Sequence, residues 1–160
     1  MSLTRHPMRR AEREITRPED LAEVFREAEV LFLALQDDPA PYVIPLSFGW
    51  EPGRLYVHTA REGRKLDLVR RNPAVGFSAC AGQQVVAAET ACDLSVQGRS
   101  VVGAGRARIL EQEAERRHAM DVIVRHYAPG ALETAYRPAS LARADLIEIS
   151  IESLRGKRMG

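Results

Sequence analysis

Arg99-Ser100-Val101-Val102-Gly103-Ala104-Gly105-Arg106-Ala107-Arg108-Ile109-Leu110 can be read in two ways. Gly103-Ala104-Gly105 has the spacing that begins a dinucleotide-binding fingerprint, but that fingerprint must open a helix. Here Arg106-Ala107-Arg108-Ile109 alternates between charged and apolar residues, which is the period of a strand. The stretch is therefore read as one long strand, and the dinucleotide motif is rejected. Glycines inside a strand mark a bulge, a sharp bend or the close approach of another group.

Working outward, the neighbouring segments are also strand-like. Tyr42 to Trp50 has strand composition but carries Pro45, which cannot donate to a ladder, so the strand is broken, bulged or at an edge there. Glu51-Pro52-Gly53 is a turn, and Arg54 to Ala60 returns, so the two segments read as a hairpin. Val30 to Leu35 fits a buried strand, and Ala74 to Ala81 and Gln84 to Ala88 read as two more. Ile147, Ile149 and Ile151 alternate with Glu148, Ser150 and Glu152, as in a strand with one wet face.

Three helices complete the chain. The first begins at Thr16-Arg17-Pro18-Glu19, with Thr16 as candidate cap. The second runs from Gly63 to Asn72 and is stopped by Pro73, and the third from Glu111 to Tyr127. Many short strands in hairpin order, few helices and a glycine-bent strand predict an antiparallel barrel, mainly β with flanking helices. A parallel doubly wound sheet would need a helix between most strands.

Composition narrows the class further. The 160 residues predict a single domain over residues 18–160, preceded by a basic arm over residues 1–17. A formal net charge of +1 argues against nucleic-acid binding by the whole surface. No apolar run approaches the ~20 residues that span a membrane, and the N-terminus lacks the apolar core of a signal peptide. The expected location is cytoplasmic, with Cys80 and Cys92 as reduced thiols and no metal site. His118 and His126 would lie about 12 Å apart along a helix, too far to share a metal.

The strongest binding signal is Leu55-Tyr56-Val57-His58-Thr59-Ala60-Arg61-Glu62-Gly63-Arg64-Lys65-Leu66-Asp67. A strand ending in polar side chains runs through a basic loop into a helix. Such a junction collects backbone N–H groups, a positive helix end and fixed cations, which suits an anion. Lys65 is one of only two lysines among 23 basic residues. It is either a compact point charge for that anion or an ordinary solvated side chain. His58 is either a satisfied structural histidine or a site residue.

Pro45-Leu46-Ser47 adds a broken strand with free backbone groups, and Arg99-Ser100-Val101 adds a cation and a hydroxyl. Gly63-Arg64-Lys65 is not a Walker loop, and no serine stands on a nucleophile elbow. Together these features suit a flat or planar ligand that carries an anion.

Taken in order, the segments resemble the flavin-nucleotide-binding split barrels related to pyridoxamine 5'-phosphate oxidase, and within them the branch of nitroimidazole-resistance proteins. The resemblance rests on Arg9-Arg10-Ala11-Glu12-Arg13-Glu14-Ile15, on Tyr42 to Phe48, on Leu55 to Ala60 with Gly63-Arg64-Lys65-Leu66, on Cys92-Asp93-Leu94-Ser95 with Arg99 to Gly103, and on Gly156-Lys157-Arg158. It implies a six-stranded antiparallel split β-barrel and a homodimer with FMN between the subunits. By the same resemblance, Pro45, Leu46 and Ser47 lie beside the flavin ring. His58, Thr59 and Ala60 line the ring and ribityl region. Lys65 meets the phosphate, with Arg99, Ser100 and Val101 nearby.

The function implied is a flavin-dependent oxidoreductase acting on a small electron-poor molecule, with His58 as the residue that would touch or protonate it. The alternative is a non-catalytic flavin- or haem-binding protein with His58 as axial ligand. Gly98 and Ala104 depart from the family pattern, which has aromatic residues there, and so remove bulk near the expected groove.

Overall fold

The computed structural model describes residues 7–88, 90, 92, 94–133 and 144–160. Arg5 and His6 of the basic arm and Asp93 of the third resembling block lie outside these residues. Eight strands and three helices follow in chain order: β1 (Glu14–Ile15), α1 (Pro18–Glu27), β2 (Leu31–Leu35), β3 (Tyr42–Leu46), β4 (Phe48–Glu51), β5 (Arg54–Ala60), α2 (Arg64–Arg71), β6 (Ala74–Val86), β7 (Ser95–Ile109), α3 (Glu113–Tyr127) and β8 (Ala144–Met159).

All pairings are antiparallel, in the order β3-β2-β6-β7-β8-β5-β4, with β1 added to β8. β3 and β4 stand at opposite ends of this order, yet only Ser47 separates them in the chain. The sheet therefore closes on itself through that residue, which makes it a split barrel. The strand count is eight rather than six for two reasons. The segment from Tyr42 to Glu51 divides at Ser47, and the two-residue β1 adds a short edge.

Several local expectations are corrected. Tyr42–Trp50 does not form one hairpin arm with Arg54–Ala60: only β4 pairs with β5, while β3 turns away to β2. Pro45 lies opposite Phe32 in β3, whose one ladder partner is β2, so it occupies an edge where a missing N–H is tolerated. Ala74–Ala81 and Gln84–Ala88 are not separate strands. Most of both lies in the single strand β6, which ends at Val86 and has a register shift between Ala81 and Gln84. β2 is not buried on both faces, since Phe32 is 44% exposed on the outside of the barrel. Helix α1 is preceded by Arg17 rather than capped by Thr16, and Pro18 occupies its first turn.

The glycines of β7 are explained by close approach and a bulge. A Cβ on Gly103 would lie 2.4 Å from Phe77 Cζ, and one on Gly105 would lie 2.1 Å from the Ser150 carbonyl oxygen. The β7–β8 register shifts between Ala104 and Gly105.

Inside the barrel, Leu31, Leu33, Leu55, Val57, Phe77, Ile147 and Ile149 form the core, and Phe25 of α1 and Leu66 of α2 join it. Each such side chain contributes about 1.5–3 kcal/mol by leaving water. A second cluster, with Tyr56, Leu110, Val122, Ile123 and Leu146, lies where α3 packs. That packing is backbone to backbone at Gly49, where a Cβ would sit 2.6 Å from the Ile123 nitrogen. Among the described residues, no helix is long and apolar enough to cross a membrane.

Candidate functional site

The barrel opens at Ser47. Phe48 pairs with Val57, the last rung between β4 and β5. Beyond it β5 continues through His58, Thr59 and Ala60, paired with Leu146, Asp145 and Ala144 of β8. The opposite chain meanwhile leaves toward β2, where Pro45 and Leu46 pair with Phe32 and Leu31. Two strands diverge here, and the backbone edge of His58–Ala60 that faces away from β8 has no ladder partner among the described residues. Free N–H and C=O groups at such an edge are available to a ligand. Tertiary structure thus places Pro45-Leu46-Ser47 and His58-Thr59-Ala60 on the two chains that diverge beyond the Phe48–Val57 rung.

Along β5, His58 and Ala60 are exposed, while Val57 is buried and Thr59 half-buried. The His58 imidazole is on the outer surface, as strand alternation requires.

Directly after this strand, Gly63 leads into α2 with φ +124°, a conformation that favours glycine. The first helical bonds run from the Leu66 and Asp67 amides to the Gly63 carbonyl. The amides before them form the positive end of the helix. The two cations of Gly63-Arg64-Lys65 have different fates. Arg64 is 2.6 Å from Asp37 and stacks over the Tyr42 ring at 4.9 Å. Arg71 reaches the same carboxylate at 3.0 Å, so Asp37 ties both ends of α2 to the β2–β3 turn. The Asp38 N–H, followed by both guanidiniums, holds the Asp37 carboxyl below its ordinary range despite some burial.

Lys65 has no such partner among the described residues. It is half-buried, and burial alone lowers its pKa. A partly desolvated amine with no counter-charge is stabilised by any anion that arrives.

Arg99, Ser100 and Val101 are placed differently. In β7 they lie opposite Ala81, Cys80 and Ala79 of β6. Val101 is 1% exposed and points into the core, so its side chain cannot line a surface cleft. The Arg99 guanidinium bonds Glu23 and Glu27 of α1 at 2.6–2.8 Å. A neighbouring cavity of about 420 Å³ is lined by Glu27, Glu29, Phe32 and Cys80, an acidic rim that repels a phosphate. Of these two cations, Lys65 and not Arg99 is therefore the one without an ion-pair partner among the described residues. Sequence spacing could not reveal that, because Glu23 and Glu27 are more than 70 residues away.

The departures from the family pattern also have a place. Gly98 lies opposite Met159, and its Cβ position would be 2.7 Å from Met159 Cε, so the methionine fills part of the space an aromatic residue would take. Ala104 is half-buried between Gly76 and Ser153.

A closed antiparallel barrel, split along one seam and with a cationic helix start beside it, defines the class of split-barrel proteins. Residues 17–158 match the family model described as pyridoxamine 5'-phosphate oxidase, and the chain belongs to that family. Among solved structures, a putative 5-nitroimidazole antibiotic resistance protein from Bacteroides thetaiotaomicron is 27% identical. The match covers 92% of this chain and 87% of that one, with a TM-score of 0.80. A FAD-binding protein from Mesorhizobium loti is 25% identical over 92% and 98% of the two chains, with a TM-score of 0.64. A FAD and heme binding protein from Mycobacterium smegmatis has the same fold, with 21% identity, coverage of 92% and 73%, and a TM-score of 0.81. No curated protein matches the chain.

Proposed function

We propose that this protein binds FMN in the seam between β3 and β5 and acts as a flavin-dependent oxidoreductase on a small electron-poor molecule. The observation that carries this is Lys65, a half-buried amine at a helix start that follows the diverging end of β5, with no counter-ion among the described residues. The fit is good at Lys65 for the phosphate and at Pro45-Leu46-Ser47 and His58-Thr59-Ala60 for a flat ring system. It is poor at Arg99, whose charge is spent on α1. Binding of a flavin by relatives in the fold supports the same reading.

FMN, when bound, supplies the electron chemistry. The chain's own residues bind and orient it. Lys65 and the amides at the start of α2 neutralise the phosphate. The free backbone edge of β5 fixes the ring by hydrogen bonds, and the β3 side provides a wall. His58, exposed beside the seam, is the group placed to contact the second substrate or give it a proton.

The seam is open to one side, so a second copy of the chain would complete it. An apolar outer face supports this. Phe32, Val43 and Val102 are 44, 56 and 57% exposed on neighbouring strands of one side of the sheet.

The exposed His58 imidazole also favours a second reading, haem ligation. One absorption spectrum after FMN is added separates the two. A flavin spectrum retained through desalting, and lost in Lys65→Ala, is the expected result. A haem band that disappears in His58→Ala would replace the first reading with the second. No uptake of either would refute both.

A further inference from the structure

The second face of the molecule carries a site that the seam does not use. Trp50 of β4 stacks on Phe25 of α1, with ring centroids 5.6 Å apart and planes 11° from parallel. The Arg26 guanidinium lies over the Trp50 ring at 5.7 Å. Arg26, Trp50, Val122, Arg125 and His126 together line a cavity of about 320 Å³, near the small end of the range for ligand pockets.

The walls are held in place. The His126 ring packs 4.7 Å from that of Phe48, and its Nε2 donates to the Ala28 carbonyl at 2.8 Å. Tyr127 Oη donates to the Glu29 carbonyl at 2.7 Å and accepts from the Phe48 N–H at 3.0 Å. The ends of α1 and α3 are thereby tied to one another and to β4.

Two arginines in the last turns of two helices have an ordinary explanation, since cations are favoured at helix C-termini. That does not explain why they converge on one cavity floored by an indole. Neither forms an ion pair among the described residues, whereas Arg54, Arg64, Arg71, Arg99 and Arg108 all do. A guanidinium stacked on a ring keeps its in-plane N–H groups free, in the fork that matches a carboxylate. The half-buried indole offers apolar surface beside that fork.

We propose that the cavity between the ends of α1 and α3, lined by Arg26, Arg125, Trp50 and Val122, binds a small aromatic carboxylate. The carboxylate meets the two guanidiniums, and the ring packs against the Trp50 indole. The cavity's lining shares no residue with the seam, and binding there does not require a flavin.

Trp50 is the only tryptophan in the chain, so its indole N–H gives a single resonance that reports on this cavity alone. The full chain is titrated with benzoate, and with benzyl alcohol as the uncharged analogue. The expected result is a saturable shift of the indole resonance with benzoate and none, or a much weaker one, with benzyl alcohol. The combined variant Arg26→Gln, Arg125→Gln should bind benzoate about ten- to a hundredfold more weakly, as for loss of charge-assisted hydrogen bonds. Lys65→Ala should leave the titration unchanged. An indole that does not respond to benzoate, that responds equally to both compounds, or that responds equally in the double variant would overturn the proposal. If the double variant does not fold, Arg125→Ala alone carries the test. At least about threefold weaker binding is expected, and unchanged affinity would overturn the proposal.

Discussion

Arg99 Nη2 lies 2.7 and 2.6 Å from the two carboxylate oxygens of Glu27, so the cation at the entry to the longer part of β7 is neutralised by α1. Arg99→Ala should change FMN affinity by less than about threefold. It should instead cost about 1 kcal/mol of stability, the upper range for a largely solvated pair with good geometry. Equilibrium denaturation and FMN titration on one variant separate the two effects. A loss of affinity as large as that of Lys65→Ala would show that Arg99 turns to the phosphate on binding.

Lys65→Ala should weaken FMN binding at least about tenfold, as for the loss of a charge-assisted contact. The pH dependence has a definite sign. Burial lowers the Lys65 pKa from 10.5, and FMN binding favours the charged amine. Affinity should therefore fall as pH rises from neutrality toward 10.5, where the phosphate is already fully ionised. Lys65→Ala should lose this dependence, and Lys65→Arg should shift it to higher pH. An identical fall in Lys65→Ala would assign the titration elsewhere.

The outer apolar face gives a test of assembly. Phe32→Asp places a charge beside Val102, one strand away across Ser78. Size-exclusion chromatography with light scattering should show the mass of two chains for the wild type and of one for the variant. FMN uptake should fall together with the mass. A wild-type chain that is monomeric and still binds FMN would remove the second copy from the site.

Gly49→Ala should lower stability by about 1–3 kcal/mol, because the added methyl meets backbone atoms of α3 that cannot rotate away. Gly130→Ala is the control. Its added methyl meets nothing within 4 Å, and a change within about 0.5 kcal/mol is expected by thermal denaturation.

Acid should loosen the ties at α2 and α3 before it affects the core. Asp37 is held below its ordinary 3.8 by the Asp38 amide and by Arg64 and Arg71. Glu51 is raised by burial but held below 4.5 overall by Tyr56 and His118. Carboxyls with lowered folded-state pKa values contribute stability that is complete above their unfolded values and is lost as pH falls through the folded ones. Urea midpoints should thus hold steady from pH 7 to about 5 and fall below it. Asp37→Asn should be less stable at neutrality and show a shallower fall. A variant with the wild-type profile would mean that Asp37 contributes nothing to it.

Local signals in the chain determine a good deal of this molecule. Alternation after Gly105 marks a strand and rejects a dinucleotide fold, because side-chain period is a property of adjacent residues. Pro73 stops α2, and Gly63 with its positive φ starts it, through backbone sterics alone. The five ordered blocks, from Arg9 to Arg158, carry the resemblance to the family that the match over residues 17–158 shows.

Only the tertiary structure decides where the chain parts company with itself. Tyr42 to Glu51 has one composition throughout, yet its two halves pair with strands at opposite ends of the sheet. Ladder partners are set by closure of the whole barrel, which no local pattern encodes. The same holds for charge. The sequence sets Lys65 apart from Arg64 and Arg99 only by residue type, and folding brings acids to Arg64 and Arg99 from distant parts of the chain. Lys65 alone of the three is left, half out of water, without a counter-charge among the described residues.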